Sequence, residues 1–356
     1  GDDADVDGDA LTVSSIRTGN VEAADGTEGA IGGTLVGTYG TLTLNADGQY
    51  SYVATASAVD GLAAGITAVD VFTYTITDGA LSASAELQIT VTGVNDAPIA
   101  LSDTNAVLEN GSIDLAAGSS LLVDDSDIDG DALTVASIRT GELASTDGVD
   151  GTVGNTLTGT YGALTLNEDG SYSYSATASA VDALATGVTV EDVFTYTITD
   201  GLLSDSAELR VTVTGVNDAP VAVAGTNAVL ENGSIDLAAG SSLLVDDSDI
   251  DGDALTVASI RTGELASTDG VDGTVGNTLT GTYGALTLNA DGQYSYATTA
   301  SAVDGLAGGV TVVDVFTYMI TDGIVSTSAE LIITVTGVND APILAGAGGT
   351  LSFTEG

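Results

Sequence analysis

The chain has 356 residues, of which 51 are acidic and four are arginine, with no lysine, and its formal charge is −47. That balance excludes nucleic acid and anionic membrane surfaces as partners, because both need cationic side chains to meet their phosphates. With no cysteine and no histidine, disulfides, thiolate chemistry and the usual zinc ligands are excluded as well, which leaves carboxylates suited to hard, oxygen-loving cations.

Such a charge alone would read as disorder, yet 44% of the residues are hydrophobic. Both facts hold together if the chain folds and cations neutralise its acids. No apolar run approaches the roughly 18 residues of a membrane-crossing helix, so direct membrane insertion is not expected. The hexapeptide Gly-Val-Asn-Asp-Ala-Pro opens at Gly93, Gly215 and Gly337, always 122 residues apart. A period of that size is one whole domain. The copies are close: residues 104–167 and 226–289 are identical. The expected division is 1–98 as a repeat without its N-terminal strand, 99–220 and 221–342 as complete repeats, and 343–356 as the opening strand of a fourth. The chain thus opens inside a repeat, as an excerpt of a longer protein would, and the lack of a visible signal peptide carries no information.

The elements of the second repeat stand for the others. An acidic stretch, Asp124 to Asp131, comes first. Leu133, Val135 and Ile138 then begin a strand, and Leu164 and Leu166 line another. The turn Asn167-Glu168-Asp169-Gly170 and the returning Tyr172 and Tyr174 make the strongest hairpin signal in the chain. Ala180 to Leu184 suggests a single helical turn. Phe194, Tyr196 and Ile198 share one face of the next strand, and the Asp200-Gly201 turn leads to a last strand carrying Leu209, Val211 and Val213. Period-2 alternation over many short strands predicts an all-β chain, a tandem array of antiparallel β-sandwiches joined end to end. Each proline closes a hexapeptide after a final strand, where a ladder cannot continue, and so marks a junction.

Five carboxylates stand within eight residues at Asp124, Asp125, Asp127, Asp129 and Asp131. Asp247, Asp249, Asp251 and Asp253 repeat the pattern, as do Asp3, Asp5 and Asp7. Two like charges about 4 Å apart repel by roughly 1 kcal/mol in water and about 4 at an effective dielectric near 20. Alternate carboxylates bent by a glycine can instead wrap a calcium ion, which takes six to eight oxygens. A solvated turn is the alternative for any single Asp-x-Asp. An EF-hand does not fit: its twelfth loop position needs a bidentate Glu, and here Ser14, Ala136 and Ala258 stand there.

Two blocks carry a family likeness. Tyr161 to Tyr174 (Tyr-Gly-Ala-Leu-Thr-Leu-Asn-Glu-Asp-Gly-Ser-Tyr-Ser-Tyr), with the ending from Tyr196-Thr-Ile-Thr-Asp-Gly to Gly-Val-Asn-Asp-Ala-Pro, resembles the bacterial VCBS repeat family, and the ending resembles a cadherin repeat with its linker. The resemblance spans nearly the whole chain. It implies cadherin-like sandwiches that bind calcium between consecutive domains, in a secreted or surface-anchored bacterial protein. Carried over position by position, the upper domain would supply Glu109 or Glu231 and an acid ahead of the Phe-Thr-Tyr strand, Asp70, Asp192 or Asp314. The junction would supply Asn95 and Asp96, Asn217 and Asp218, or Asn339 and Asp340. The lower domain would supply Asp125, Asp127 and Asp200, or Asp247, Asp249 and Asp322. Ala97 and Gly93 stand where a cadherin linker has further ligands, which implies fewer ions per junction.

Other residues invite simpler readings. The tyrosines fall in four slots per repeat and read as sandwich core or cross-strand pairs, with a sugar-stacking platform as the alternative. Arg17, Arg139 and Arg261 share one slot and should each pair with a carboxylate, whereas Arg210, replaced by Gln88 and Ile332 in the other copies, should be exposed and unimportant. Catalysis is not expected, since the chain has no His, Cys, Lys or Trp and its copies leave no unique cleft. Three functions remain: a calcium-rigidified extracellular spacer of an adhesin or biofilm-matrix protein, a glycan-binding or homophilic module facing a cell-surface receptor, and a filament subunit in which Ile343–Gly356 of one chain completes the first repeat of another.

Overall fold

A computed structural model describes residues 3–23, 25–55, 57–237 and 241–342. The expected strand donor, Ile343–Gly356, lies outside the described residues. The chain divides into two compact units, Gly1–Ala178 with Val190–Val213, and Ser179–Thr189 with Thr214–Gly356.

Every repeat is a two-sheet sandwich. In the third, one sheet runs in the order Gly225–Leu230, Ser326–Thr336, Thr311–Thr321, Thr256–Thr262, Asp272–Gly273. The other runs Ser234–Asp236, Tyr294–Thr298, Gly284–Leu288, Thr278–Thr280. The second repeat has the same two sheets, with Asp103–Leu108 as the edge strand beside Ser204–Thr214. In the third repeat every strand pair is antiparallel but one, a departure from expectation. The first strand runs parallel to the last, Gly225 opposite Leu331 through Leu230 opposite Thr336. A repeat whose first and last strands point the same way admits the chain at one end and releases it at the other, which is what serial connection requires.

The uneven spacing of Val135 and Ile138 has a cause. A register shift between Val135 and Ser137 inserts one residue against the strand Thr189–Thr199, so both Val135 and Ile138 turn inward and are buried. The same bulge recurs at Val13/Ser15 and Val257/Ser259. In the predicted hairpin, Gly170 takes φ +76° and its amide donates to the Asn167 carbonyl at 3.0 Å, the left-handed position that glycine fills without strain. The predicted helical turn forms at Ser57–Asp60 and Ala300–Val303, and in the second repeat it is a turn closed by Leu184 N to Val181 O at 2.9 Å.

The tyrosines are mostly core. Tyr174, Tyr196, Tyr296 and Tyr318 are fully buried, and Tyr174 meets Phe194 edge to face with centroids 6.2 Å apart. In the first repeat the strand Tyr50–Ala54 pairs on one side only. Tyr50 is accordingly 56% exposed, against 2% for Tyr172 and 4% for Tyr294.

Candidate metal centre

The acidic loop folds on itself before any ion is considered. Asp127 Oδ1 accepts the amides of Asp129 at 2.9 Å and Asp131 at 3.3 Å, and Gly130 makes the bend at φ +78°. Oxygens of Asp127, Asp129 and Asp131 come within 4.8 Å of one another, as do those of Asp249, Asp251 and Asp253. The linker is laid against this loop. Asp96 N donates to Asp129 Oδ2 at 2.8 Å, while Asn95 Nδ2 donates to Asp200 Oδ2 at 2.7 Å and to the Asp96 carbonyl at 2.8 Å. The third repeat copies it: Asp218 N to Asp251 Oδ2 at 2.8 Å, Asn217 Nδ2 to Asp322 Oδ2 at 2.8 Å. Asp200 also caps its own hairpin, taking the amides of Leu202 and Leu203. These three contacts hold its carboxyl below the usual range, the two backbone amides first and Asn95 after them.

What these hydrogen bonds leave over is unusual. Asp127 Oδ2 and Asp129 Oδ1 are buried with no hydrogen-bond partner among the described residues, and so are Asn217 Oδ1, Asp218 Oδ2, Asp249 Oδ2 and Asp251 Oδ1. Native proteins pair nearly all such atoms, and an unpaired buried carboxylate is among the costliest things a fold can hold. Burial first, then the charges of Asp251, Asp182 and Asp249, push the Asp218 carboxyl above its ordinary value. A donor set of anionic and amide oxygens on a preformed loop fits a hard divalent cation.

Several expected ligands also make contacts within the fold. Asp125 and Asp247 each use one oxygen on the backbone, Oδ1 accepting Leu101 N at 2.8 Å and Val223 N at 2.7 Å, while their Oδ2 atoms are buried with no partner among the described residues. The alternation that brings residues 127, 129 and 131 together is interrupted there by the short bridge between Ile99 and Ser126. In the first repeat the corresponding Asp3 accepts the Tyr74 hydroxyl at 3.0 Å, and the folded loop is Asp5 with Asp7 and Asp9. Asp70, Asp192 and Asp314 are buried inside their own repeats. Asp192 accepts Thr160 N at 2.8 Å, Tyr161 N at 3.0 Å and Tyr174 Oη at 2.7 Å, and its two counterparts do the same. Those carboxylates pin a turn to a strand. Glu109 and Glu231 are buried. The Glu231 amide donates to Thr336 O at 2.9 Å, three residues before Asn339, and both of its carboxylate oxygens are buried without a partner among the described residues. Asn339 Nδ2 reaches the Asp340 carbonyl at 3.2 Å.

The arginines correct two further expectations. Arg139 Nη2 donates to the carbonyls of Glu142 at 2.6 Å and Leu143 at 3.1 Å, so this slot ties a loop and is not primarily an ion pair. Arg210 is far from idle: it meets Glu208 at 2.8 Å, Glu191 at 3.1 Å and Glu142 at 3.6 Å.

One neighbour of the linker was not expected from the sequence. The turn that carries Asp60, Asp182 or Asp304 lies on the linker. A methyl at Gly93 would sit 2.0 Å from the Leu62 carbonyl oxygen, at Gly215 2.3 Å from that of Leu184, and at Gly337 2.6 Å from that of Ala307. The glycine opening the hexapeptide is therefore demanded by this close approach. Gly61 faces the Ile128 carbonyl, between Asp127 and Asp129, and Asp182 raises the Asp218 carboxyl. The available signal was the constant slot of Asp60, Asp182 and Asp304, 122 residues apart. Gly93→Ala is predicted to lower stability by about 2–4 kcal/mol, since backbone and not a flexible side chain must move; a denaturant midpoint equal to that of the parent would refute the explanation.

A second acid group sits in the second repeat. Asp103 is half-buried, accepts the Tyr196 hydroxyl at 2.9 Å, and has its carboxyl pushed up to about 6, by burial first and then by the charges of Asp124 and Asp125 against that hydrogen bond. A raised folded pKa means that the folded chain holds the extra proton, so this contribution is present at low pH and lost as pH rises through about 6. Melting in chelator should therefore occur at a higher temperature at pH 5 than at pH 7.5, and Asp103→Asn should flatten that dependence. A profile of the opposite slope in the parent would remove the basis for this reading.

Serial β-sandwiches whose linkers lay an Asn-Asp pair on an Asp-x-Asp-Gly-Asp loop are cadherin-like repeats. The chain belongs to the bacterial cadherin-like domain family, whose profile matches residues 1–93, 95–215 and 217–337. It is 31% identical over 196 residues to the calcium-binding lectin RapA2 of Rhizobium johnstonii (strain DSM 114642 / LMG 32736 / 3841), a match covering 51% of this chain and 75% of that protein. Among solved structures it is similar to mouse clustered PcdhgC3 EC1-3, at 12% identity and TM-score 0.40 over 91% of this chain and 89% of the other. It is also similar to Drosophila N-cadherin EC1-4, at 13% and 0.30 over 93% and 68%. An endo-fucoidan hydrolase of glycoside hydrolase family 107 aligns at 18% and 0.23, and the chain spans 39% of that enzyme while 91% of this chain is covered.

Proposed function

We propose that the chain is a calcium-rigidified spacer or stalk segment of a larger extracellular bacterial adhesin or biofilm-matrix protein, without catalytic activity. Support comes chiefly from the buried, partnerless oxygens of Asp127 and Asp129 beside a linker bound to the same loop. The proposed ligands at the first junction are Asp127, Asp129 and Asp131 with Asn95, Asp96, Asp200 and Asp60. At the second they are Asp249, Asp251 and Asp253 with Asn217, Asp218, Asp322 and Asp182. Glu231, Asn339 and Asp340 would serve the junction that follows. Calcium supplies positive charge that replaces carboxylate repulsion with shared coordination, and so ties each linker to the loop beneath it. The test is a calorimetric calcium titration of the full chain and of Asp129→Asn. The variant should lose at least tenfold in affinity at one class of site and leave the other unchanged. Equal isotherms would end this assignment.

A second reading, glycan recognition, is favoured by likeness to a protein named a calcium-binding lectin. The two are compatible, because a stalk can bind along its length.

A further inference from the structure

A cleft recurs at the same place in each repeat. In the second repeat it encloses about 470 Å³ between the loop 141–148, the turn 158–160 and the strand segment 191–193. The first and third repeats have counterparts of about 540 Å³ and 340 Å³. These volumes fall within the roughly 300–1,000 Å³ of small-molecule sites.

The walls are closely packed and largely backbone. A methyl on Gly148 would lie 1.9 Å from the Thr140 carbonyl oxygen, and one on Gly159 2.5 Å from Asp192 Oδ2. The same approaches recur at Gly26 and Gly37, and at Gly270 and Gly281. From behind, Arg139 ties the loop through two carbonyls, and Leu143 N donates to Glu208 Oε1 at 2.7 Å. Arg17 with Glu86 and Arg261 with Glu330 do likewise. This is the task of the recurring Ser-Ile-Arg-Thr-Gly slot, and it leaves the cleft preformed.

The lining decides what could enter. It offers acceptors and hydroxyls, Ser145, Asp147, Thr158 and Thr160 in the second repeat, with no lysine, arginine or aromatic ring among the lining residues of the three clefts. A ligand must then bring hydroxyl donors and no negative charge. A carboxylate or sulfate about 4 Å from Asp147 would be repelled by roughly 1 kcal/mol in water and more at an interface. We infer that the three clefts are repeated weak subsites for an uncharged, hydroxyl-rich glycan, an inference that rests on the glycan reading above.

Saturation-transfer NMR on the full chain in calcium, with cellotetraose as the neutral probe and tetragalacturonate as the acidic one, tests it. The neutral probe should bind. The triple variant Thr38→Trp, Thr160→Trp and Thr282→Trp, at exposed positions on the cleft turns, should weaken that binding at least tenfold and leave calcium-dependent melting intact. Neutral binding that survives the variant, or preference for the acidic probe, overturns the cleft assignment and leaves glycan recognition standing. No binding by either probe, with a wider glycan array also blank, removes both.

Discussion

Transferring the chain from 1 mM calcium into EGTA should lower its melting temperature by about 10 °C. A ligand that binds only the folded state stabilises it by RT ln(1 + [L]/Kd), so a site of about 10 µM affinity in 1 mM calcium contributes roughly 2.7 kcal/mol. In a unit the size of one repeat, 1 kcal/mol moves the midpoint by about 3–6 °C. A bound cation would relieve what the fold leaves over: Asp249 Oδ2, Asp251 Oδ1 and Asp218 Oδ2 have no hydrogen-bond donor among the described residues. Magnesium should substitute poorly, because it demands near-octahedral geometry and gives up water reluctantly. Calorimetry with and without chelator decides the matter, and superimposable transitions would dispose of the metal centre.

Asp192→Ala should be the most damaging single substitution in the second repeat, at about 3–5 kcal/mol, with calcium affinity unchanged. Its loss strands the Tyr174 hydroxyl and the amides of Thr160 and Tyr161, and each abandoned buried donor costs about 1–3 kcal/mol. Burial and this carboxylate already push the Tyr174 hydroxyl well above its ordinary pKa, as expected of a phenol held as a donor. The pairing of outcomes matters. A variant that melts like the parent but binds calcium poorly would return Asp192 to the junction and contradict its placement inside the repeat.

How far the site was legible can be followed residue by residue. Asp127 and Asp129 were expected together because alternate carboxylates bent by a glycine can wrap a cation, and their oxygens do converge with those of Asp131. Asn95, Asp96 and Asp200 were reached through a family likeness, and the linker indeed lies on the loop and on that hairpin turn. Asp125 was expected with them, and the fold gives its Oδ1 to Leu101 N while its Oδ2 is buried with no partner among the described residues. Asp192 was expected at a junction, and its partner Tyr174, 18 residues away on a different strand, holds it inside its own repeat. Asp182 was missed because it stands alone in sequence, and only the packing of its turn on Gly215 brings it to the linker.

The linear order of residues by itself determined the period, the strands and their buried faces, and the oxygen chemistry of the loops. All of these depend on neighbours within a few positions, where residue type and spacing act directly. Which carboxylates converge, which are consumed by tyrosine hydroxyls and backbone amides, and which clefts open between loop and sheet were decided by the tertiary structure alone. A hydrogen bond between strands depends on register and side-chain direction across long loops, and local sequence does not encode either.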